Sequence, residues 1–324
     1  MRKAIVFGAA ALAAMAFSAS AHAAAQKLKF AHVYETSEAY HTAALWAAEE
    51  IKKRTNGRYE MDVFPASSLG KESDINQGLT LGTVDIIYTG TNFAARSYPA
   101  LAIAAAPYMF RDFDHWKAYT KSDLFNELAA GYEKATGNEI VTMIYYGERH
   151  VTAKKPINKP EDMKGMKLRV PDAPMYVMFP RSVGANATPI AFAEVYLALA
   201  QGTVDAQENP LPTILAKKFY EPSPVISLTG HITESLLTII GAPTWNRLSA
   251  EDKKIFSEVL AEAGERSDAE IIRSEQDLVT GFTKLGATVH KPDREAFRAT
   301  VAKAHLGDGV PWNKQQYDRL QAIK

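Results

Sequence analysis

The chain contains no cysteine, which excludes disulfides, thiolate metal sites and a lipid-bearing cysteine at a processed amino terminus. It also lacks an excess of either charge: 37 Lys+Arg stand against 37 Asp+Glu, for a formal net charge of +0. Such a chain presents nucleic acid and anionic lipid with no basic face, so neither is expected as a partner. Beyond the amino terminus no run approaches the roughly 18 apolar residues that a membrane helix requires, and the processed chain is expected not to be membrane-embedded. The sequence has no Gly-x-Ser-x-Gly elbow, no His-Glu-x-x-His pair and no Gly-x-Gly-x-x-Gly following a strand. The eight histidines, His22 included, show no ligand spacing. No metal and no cofactor are expected.

What is present begins with a compartment signal. Arg2 and Lys3 precede an apolar stretch over 4–16, and Ala21-His22-Ala23 offers a small-residue cleavage site. Together they read as a secretory signal peptide over 1–23, with the mature chain starting near Ala24. About 300 mature residues exceed what one core usually serves, so two lobes are expected.

The pattern over 28–33, 38–54 and 59–64 is strand, helix, strand, with Ala44, Ala47, Ala48 and Ile51 on one helical face and Asn56-Gly57 as the stop. This opens an α/β lobe with helices packed on a sheet. An internal echo follows. A helical pattern over 72–81 ends at Gly82-Thr83-Val84-Asp85 and enters a strand over 86–89; another over 192–201 ends at Gly202-Thr203-Val204-Asp205 and enters 206–208. Each copy also follows a proline-containing loop, at Pro65 and Pro189, which points to equivalent units in two lobes. Near the carboxyl end, Ser249 caps a helix with Glu251 and Asp252 in its first turn, and the pattern runs on to Leu285-Gly286 with only Gly264 interrupting. Uninterrupted, it would be about 50 Å long and would lie across both lobes; broken at Gly264 it would be two shorter helices.

Candidate chemistry concentrates in 140–212. A strand over 140–146 runs into Gly147-Glu148-Arg149-His150, and Arg169 sits in Lys167-Leu168-Arg169-Val170 before Pro171. Period-two alternation turns Leu168 and Val170 to one face and Arg169 to the other. If that face borders a cleft, Arg169 needs an anion, and its planar fork suits a carboxylate. The alternative for each arginine is a structural ion pair with Glu148, Glu194 or Asp205. Gln207-Glu208-Asn209-Pro210 ends a strand, where α/β lobes bind ligands; Asn209 can both donate and accept. Phe192, read alone, is a core aromatic.

These residues carry a resemblance. Arg149, Asp162-Met163-Lys164-Gly165, Leu168-Arg169-Val170-Pro171, Phe192-Ala193-Glu194-Val195-Tyr196 and Gln207-Glu208-Asn209-Pro210 resemble the extracytoplasmic solute receptors of tripartite ATP-independent periplasmic (TRAP) transporters, including the dicarboxylate, uronate and sialic-acid branches. The resemblance implies an α/β periplasmic-binding-protein-like fold of two lobes, each a sheet flanked by helices, with a long helix spanning both and closure over the ligand. It places lobe 1 at 24–146 plus 235–274 and lobe 2 at 147–234 plus 275–324. It implies a periplasmic monomer that takes a small organic acid and delivers it to TRAP permease subunits in the membrane. Arg169 would clamp the carboxylate, with Arg149 as second donor, Phe192 as a wall and Asn209 as a polar contact. Sialic-acid receptors carry an acidic and a basic contact in the segment matching Gly90 to Phe93 and an asparagine matching Val33. With Gly90, Phe93 and Val33 there instead, sialic acid is expected to fit poorly and the pocket to be less polar, smaller or more aromatic, Phe93 contributing. His32 and Glu35 could read a hydroxyl or be surface or lobe-interface residues.

Two other classes of function compete with this one. A periplasmic enzyme acting on a small organic acid could use Glu148, Arg149 and His150, but adjacent residues on a strand do not face one another. A scaffold role would leave buried guanidinium groups without partners.

Overall fold

The structure is a computed structural model describing residues 24–324; the signal peptide and cleavage site expected over 1–23 lie outside the described residues. The strands are β1 Gln26–Ala31, β2 Tyr59–Phe64, β3 Ile86–Gly90, β4 Glu139–Ala153, β5 Lys167–Val170, β6 Asn186–Pro189, β7 Ala206–Pro210, β8 Val225–Ile240 and β9 Thr288–His290. They form one sheet in the order β2-β1-β3-β8-β4-β7-β5-β6, with β9 on β8.

The two ends of the sheet repeat one plan. β1 lies between β2 and β3, and β5 lies between β6 and β7, all parallel. The sequence echo has a physical basis in both copies. Gly82 and Gly202 adopt φ of +73° and +71° after their helices, a conformation that glycine enters without steric cost. The next residues then turn back: Asp85 N donates to Lys29 O at 3.0 Å while its Oδ2 accepts from Lys29 N at 2.8 Å. Asp205 does the same with Lys167, at 2.9 and 2.8 Å. Each aspartate thus satisfies the backbone groups of a lysine in the central strand of its unit, Lys29 within β1 and Lys167 at the start of β5.

β4 and β8 join the units. β8 pairs with β3 over Leu236–Ile240 and with β9 over Val225–Ser227; β4 pairs with β7 over Arg149–Ala153, and the two long strands pair antiparallel along their length. Their ladder shifts register between Tyr145 and Gly147 and again between Arg149 and Val151, and such irregularities bend a strand locally. The chain therefore crosses between the halves through hydrogen-bonded sheet.

One helix, Ala250–Lys284, runs 35 residues without a break at Gly264. Ser249 Oγ accepts from Asp252 N, as its capping position predicts. Phe256, Leu260, Ala263 and Ile271 belong to the core of the first half, whereas Leu278 and Phe282 belong to a core of the second. The helix thus spans both lobes. Gly264 allows close approach to β4, because a Cβ there would meet Ile144 Cγ2 at 2.5 Å. Past the helix, Phe297 and Val301 join the second half, while Trp312 and Leu320 return to the first core.

Candidate functional site: a cavity between the lobes

A cavity opens where the strand ends of the two halves face one another. Val33, Tyr34, Glu72, Gly90 and Phe93 line it from the first half, and Arg169, Pro171, Tyr176, Phe192 and Asn209 from the second; Tyr146 and Arg149 come from the bend in β4. Five expected contacts, Arg169, Arg149, Asn209, Phe192 and Phe93, thus share one wall system. His32 and Glu35 are outside it. His32 is 1% exposed and its Nε2 lies 3.2 Å from His41 Nδ1; burial lowers its pKa to about 3, with His41 adding to the shift. Glu35 pairs with Lys217 Nζ at 2.6 Å, an ion pair between the halves, and Lys217 in turn sits 5.2 Å above the Phe192 ring.

The two arginines differ in what holds them. Arg149, 2% exposed, donates from Nε and Nη2 to the Glu208 carboxylate, with Nη2 also reaching Glu208 O at 2.7 Å. Its Nη1 is 3.7 Å from Glu234 Oε2. This is a structural ion pair, but with Glu208 and Glu234 rather than Glu148, Glu194 or Asp205. Burial alone would raise the Glu208 carboxyl; Arg149 and a 3.1 Å contact with His231 Nε2 hold it at about 2. Glu234, buried beside Tyr176 and Arg149, is pushed up to about 7 by desolvation.

Arg169, 1% exposed, has no carboxylate in contact among the described residues. Its Nε and Nη2 donate to Ile190 O at 3.0 and 2.7 Å, which fixes the plane of the guanidinium. Nη1 is buried without a partner. Burial lowers the group to about 10, opposed by the nearby Glu208 charge. A buried guanidinium with an unused donor is costly to leave empty and well shaped to receive an oxyanion.

Asn209 is oriented on both sides: its Nδ2 donates to Gln207 Oε1 at 2.6 Å and its Oδ1 accepts from Tyr146 OH at 3.3 Å. Phe192 is partly buried and edges toward Tyr34, with ring centroids 6.2 Å apart, so it is a wall as well as a packing residue. Sequence reasoning missed Tyr34, Tyr146, Tyr176 and Glu72. Tyrosines beside apolar strands are ordinarily core aromatics and an acid in a first helical turn ordinarily serves the helix, so no spacing along the chain singles these four out.

The acid/base trio does not assemble. Glu148 pairs with Arg294 at 3.0 Å, Arg149 with Glu208, and His150 Nδ1 accepts from Gly230 N at 3.0 Å. Alternation turns Arg149 into the interlobe cavity and Glu148 and His150 to the opposite face, beside Arg294.

With this geometry in place, comparison with known proteins gives a consistent result. The family described as "Bacterial extracellular solute-binding protein, family 7" matches residues 30–307. The sialic acid-binding periplasmic protein SiaP of Vibrio cholerae is 33% identical over 291 residues, covering 90% of this chain and 91% of that protein. A TRAP periplasmic solute binding protein from Polaromonas sp. JS666, bound to D-erythronate, superposes with a TM-score of 0.88 at 31% identity, covering 92% of this chain and 99% of that one. One from Roseobacter denitrificans with bound L-galactonate gives 0.86 at 30% identity, covering 92% and 98%. An interlobe cavity with an unmatched guanidinium and this breadth of similarity lead to one conclusion: the chain belongs to family 7 of the bacterial extracellular solute-binding proteins, and is a TRAP-type solute receptor rather than an enzyme.

Proposed function

We propose that this receptor works in the periplasm, after removal of residues 1–23, as a monomer that captures a small hydroxy acid by its carboxylate and hands it to the TRAP permease subunits. The observation that carries the reading is the buried, partnerless Nη1 of Arg169. A carboxylate placed against it would receive a charge-assisted bond in a water-poor setting. Arg149 Nη1 would add a second donor, Asn209 a polar contact, and Phe93 and Phe192 the flanking walls. Glu35 would act from the rim through Lys217, and His32 from behind the cavity. Lobe 1 comprises 24–146, 235–274 and the carboxyl-terminal stretch around Trp312 and Leu320, which packs on its core, lobe 2 comprises 147–234 plus the segment from 275 through Val301, and the ligand draws them together.

The apolar positions Val33, Gly90 and Phe93 all line the cavity. This favours a compact acid over sialic acid, whose amide and hydroxyls would lack partners on that side. D-Erythronate and L-galactonate, bound by related receptors, are suitable probes. Calorimetry should give tight binding of one or both, weaker binding of sialic acid, and none of erythritol, which has the hydroxyls without the carboxylate. Erythritol binding as tightly as the acids would overturn the carboxylate reading.

A further inference from the structure

Glu72 stands in the cavity wall opposite the half that supplies Arg169. Its Oε1 accepts from Gly90 N at 2.6 Å and from Thr89 Oγ1 at 3.0 Å, so the side chain is fixed in place. Oε2 has no hydrogen-bond partner among the described residues. No cation is in contact with this carboxyl; it only feels Arg149 and Arg169 at longer range. Tyr34, Tyr146 and Tyr176 face it, and burial holds all three phenols neutral.

We propose that Glu72 sets the ligand class, its Oε2 accepting a hydrogen bond from a hydroxyl of the bound acid and its charge excluding a second carboxylate. The proposal rests on the reading of Arg169 as the carboxylate clamp. A hydroxy monocarboxylate satisfies both walls at once, anion to Arg169 and donor to Glu72. A dicarboxylate of the same length brings an acceptor to an acceptor and a negative charge to a negative charge, and one of the two must be protonated before it can bind. The amide of glutamine keeps an acceptor for Gly90 N, so Glu72→Gln removes the charge with little change in shape.

D-Erythronate and succinate, both four-carbon acids, make the test. At about pH 8, where Glu72 is ionised, the wild-type receptor should prefer D-erythronate by about a hundredfold, and Glu72→Gln should lose about tenfold for D-erythronate and gain about tenfold for succinate, as expected for one buried hydrogen bond and one relieved repulsion. A receptor that binds D-erythronate through Arg169 but shows the same erythronate-to-succinate ratio in both forms overturns the role of Glu72 alone. A receptor that binds no carboxylic acid overturns this role together with the reading beneath it.

A second measurement needs no variant. Desolvation raises the Glu72 carboxyl to about 7, so succinate binding to the wild type should strengthen as pH falls through about 7 while D-erythronate binding does not. Glu234 also titrates near 7, but it is not part of the cavity wall and would shift both ligands alike. Parallel pH profiles for the two acids count against the proposal.

Discussion

Arg149 and Arg169 are both buried, yet replacing them should have opposite effects. Arg169→Ala removes a group bonded only to Ile190 O, so the melting temperature of the ligand-free protein should change little. Affinity should fall by two to four decades, since Nη1 and the second hydrogen of Nη2 can together give one carboxylate two charge-assisted bonds of about 1.5–3 kcal/mol each and each decade is about 1.4 kcal/mol. Arg169→Lys should be nearly as harmful, because an ammonium keeps the charge but cannot hold Ile190 O and a carboxylate in one plane. Arg149→Ala instead strands Glu208 and Glu234 without their cation and should cost about 3–5 kcal/mol of stability. Chemical denaturation and calorimetry on the three variants check this contrast; an equal stability loss at both positions would contradict it.

Another residue supplies a pH-dependent expectation. Glu275 accepts from Tyr145 OH and Glu148 N at 2.8 and 2.7 Å, beside the bend in β4, and desolvation raises its pKa from 4.5 to about 7. A carboxyl raised on folding contributes most below its unfolded pKa, and that contribution is lost as pH rises through the folded pKa. The melting temperature of Glu275→Gln relative to wild type should therefore climb between pH 4.5 and about 7 and level off above. A pH-independent difference between the two proteins would show that the carboxyl ionises normally.

At the level of elements, much was legible because it was local. The helix over 72–81, the strand over 59–64 and the Ser249 cap were read from period and capping alone, and the repeated Gly-Thr-Val-Asp marked two units that do share one hydrogen-bonding plan. What was not legible depends on topology. Glu208 meets Arg149 because β7 runs antiparallel beside β4, with Val151 opposite Glu208; no spacing along the chain announces that pair, and the candidates Glu148, Glu194 and Asp205 were neighbours in sequence or in motif only. Glu72 was missed for the same reason, since its partner Gly90 comes from the far end of β3. Gly264 illustrates an element-scale trade. In an isolated helix alanine would be favoured there by about 1 kcal/mol, but its Cβ would collide with Ile144 Cγ2. Gly264→Ala should be destabilising by about 1–3 kcal/mol as overpacking outweighs propensity, seen as a lowered melting temperature. A stabilised variant would mean that β4 yields at this point.

Across the whole molecule, two ion pairs bridge the halves on the flanks of the cavity, and each stacks its cation near a wall aromatic. Arg96, 5.7 Å from the Phe93 ring, reaches Asp172, and Lys217, above Phe192, reaches Glu35. Their charges alternate, one cation and one anion on each half. If the halves part when ligand leaves, both pairs break. Small-angle scattering should then show compaction on saturation with the bound acid, and dissociation should speed up at high salt, with the more exposed Arg96–Asp172 pair screened first. An unchanged radius of gyration on saturation would argue against hinge closure.

The continuity of β4 and β8 through both halves has a consequence for how such a protein can be taken apart. Since each unit's sheet is completed by a strand that begins in the other, neither unit is a separable part. Expressing one alone would leave a raw sheet edge and half of the 35-residue helix without its core. A chimera that exchanges one unit with a relative must cut through ladders rather than linkers. The units can diverge at and just past their strand ends, as Val33, Gly90 and Phe93 illustrate, but they must inherit their central strands together, so new ligand preferences in this architecture arise by repainting the cavity wall and not by shuffling halves.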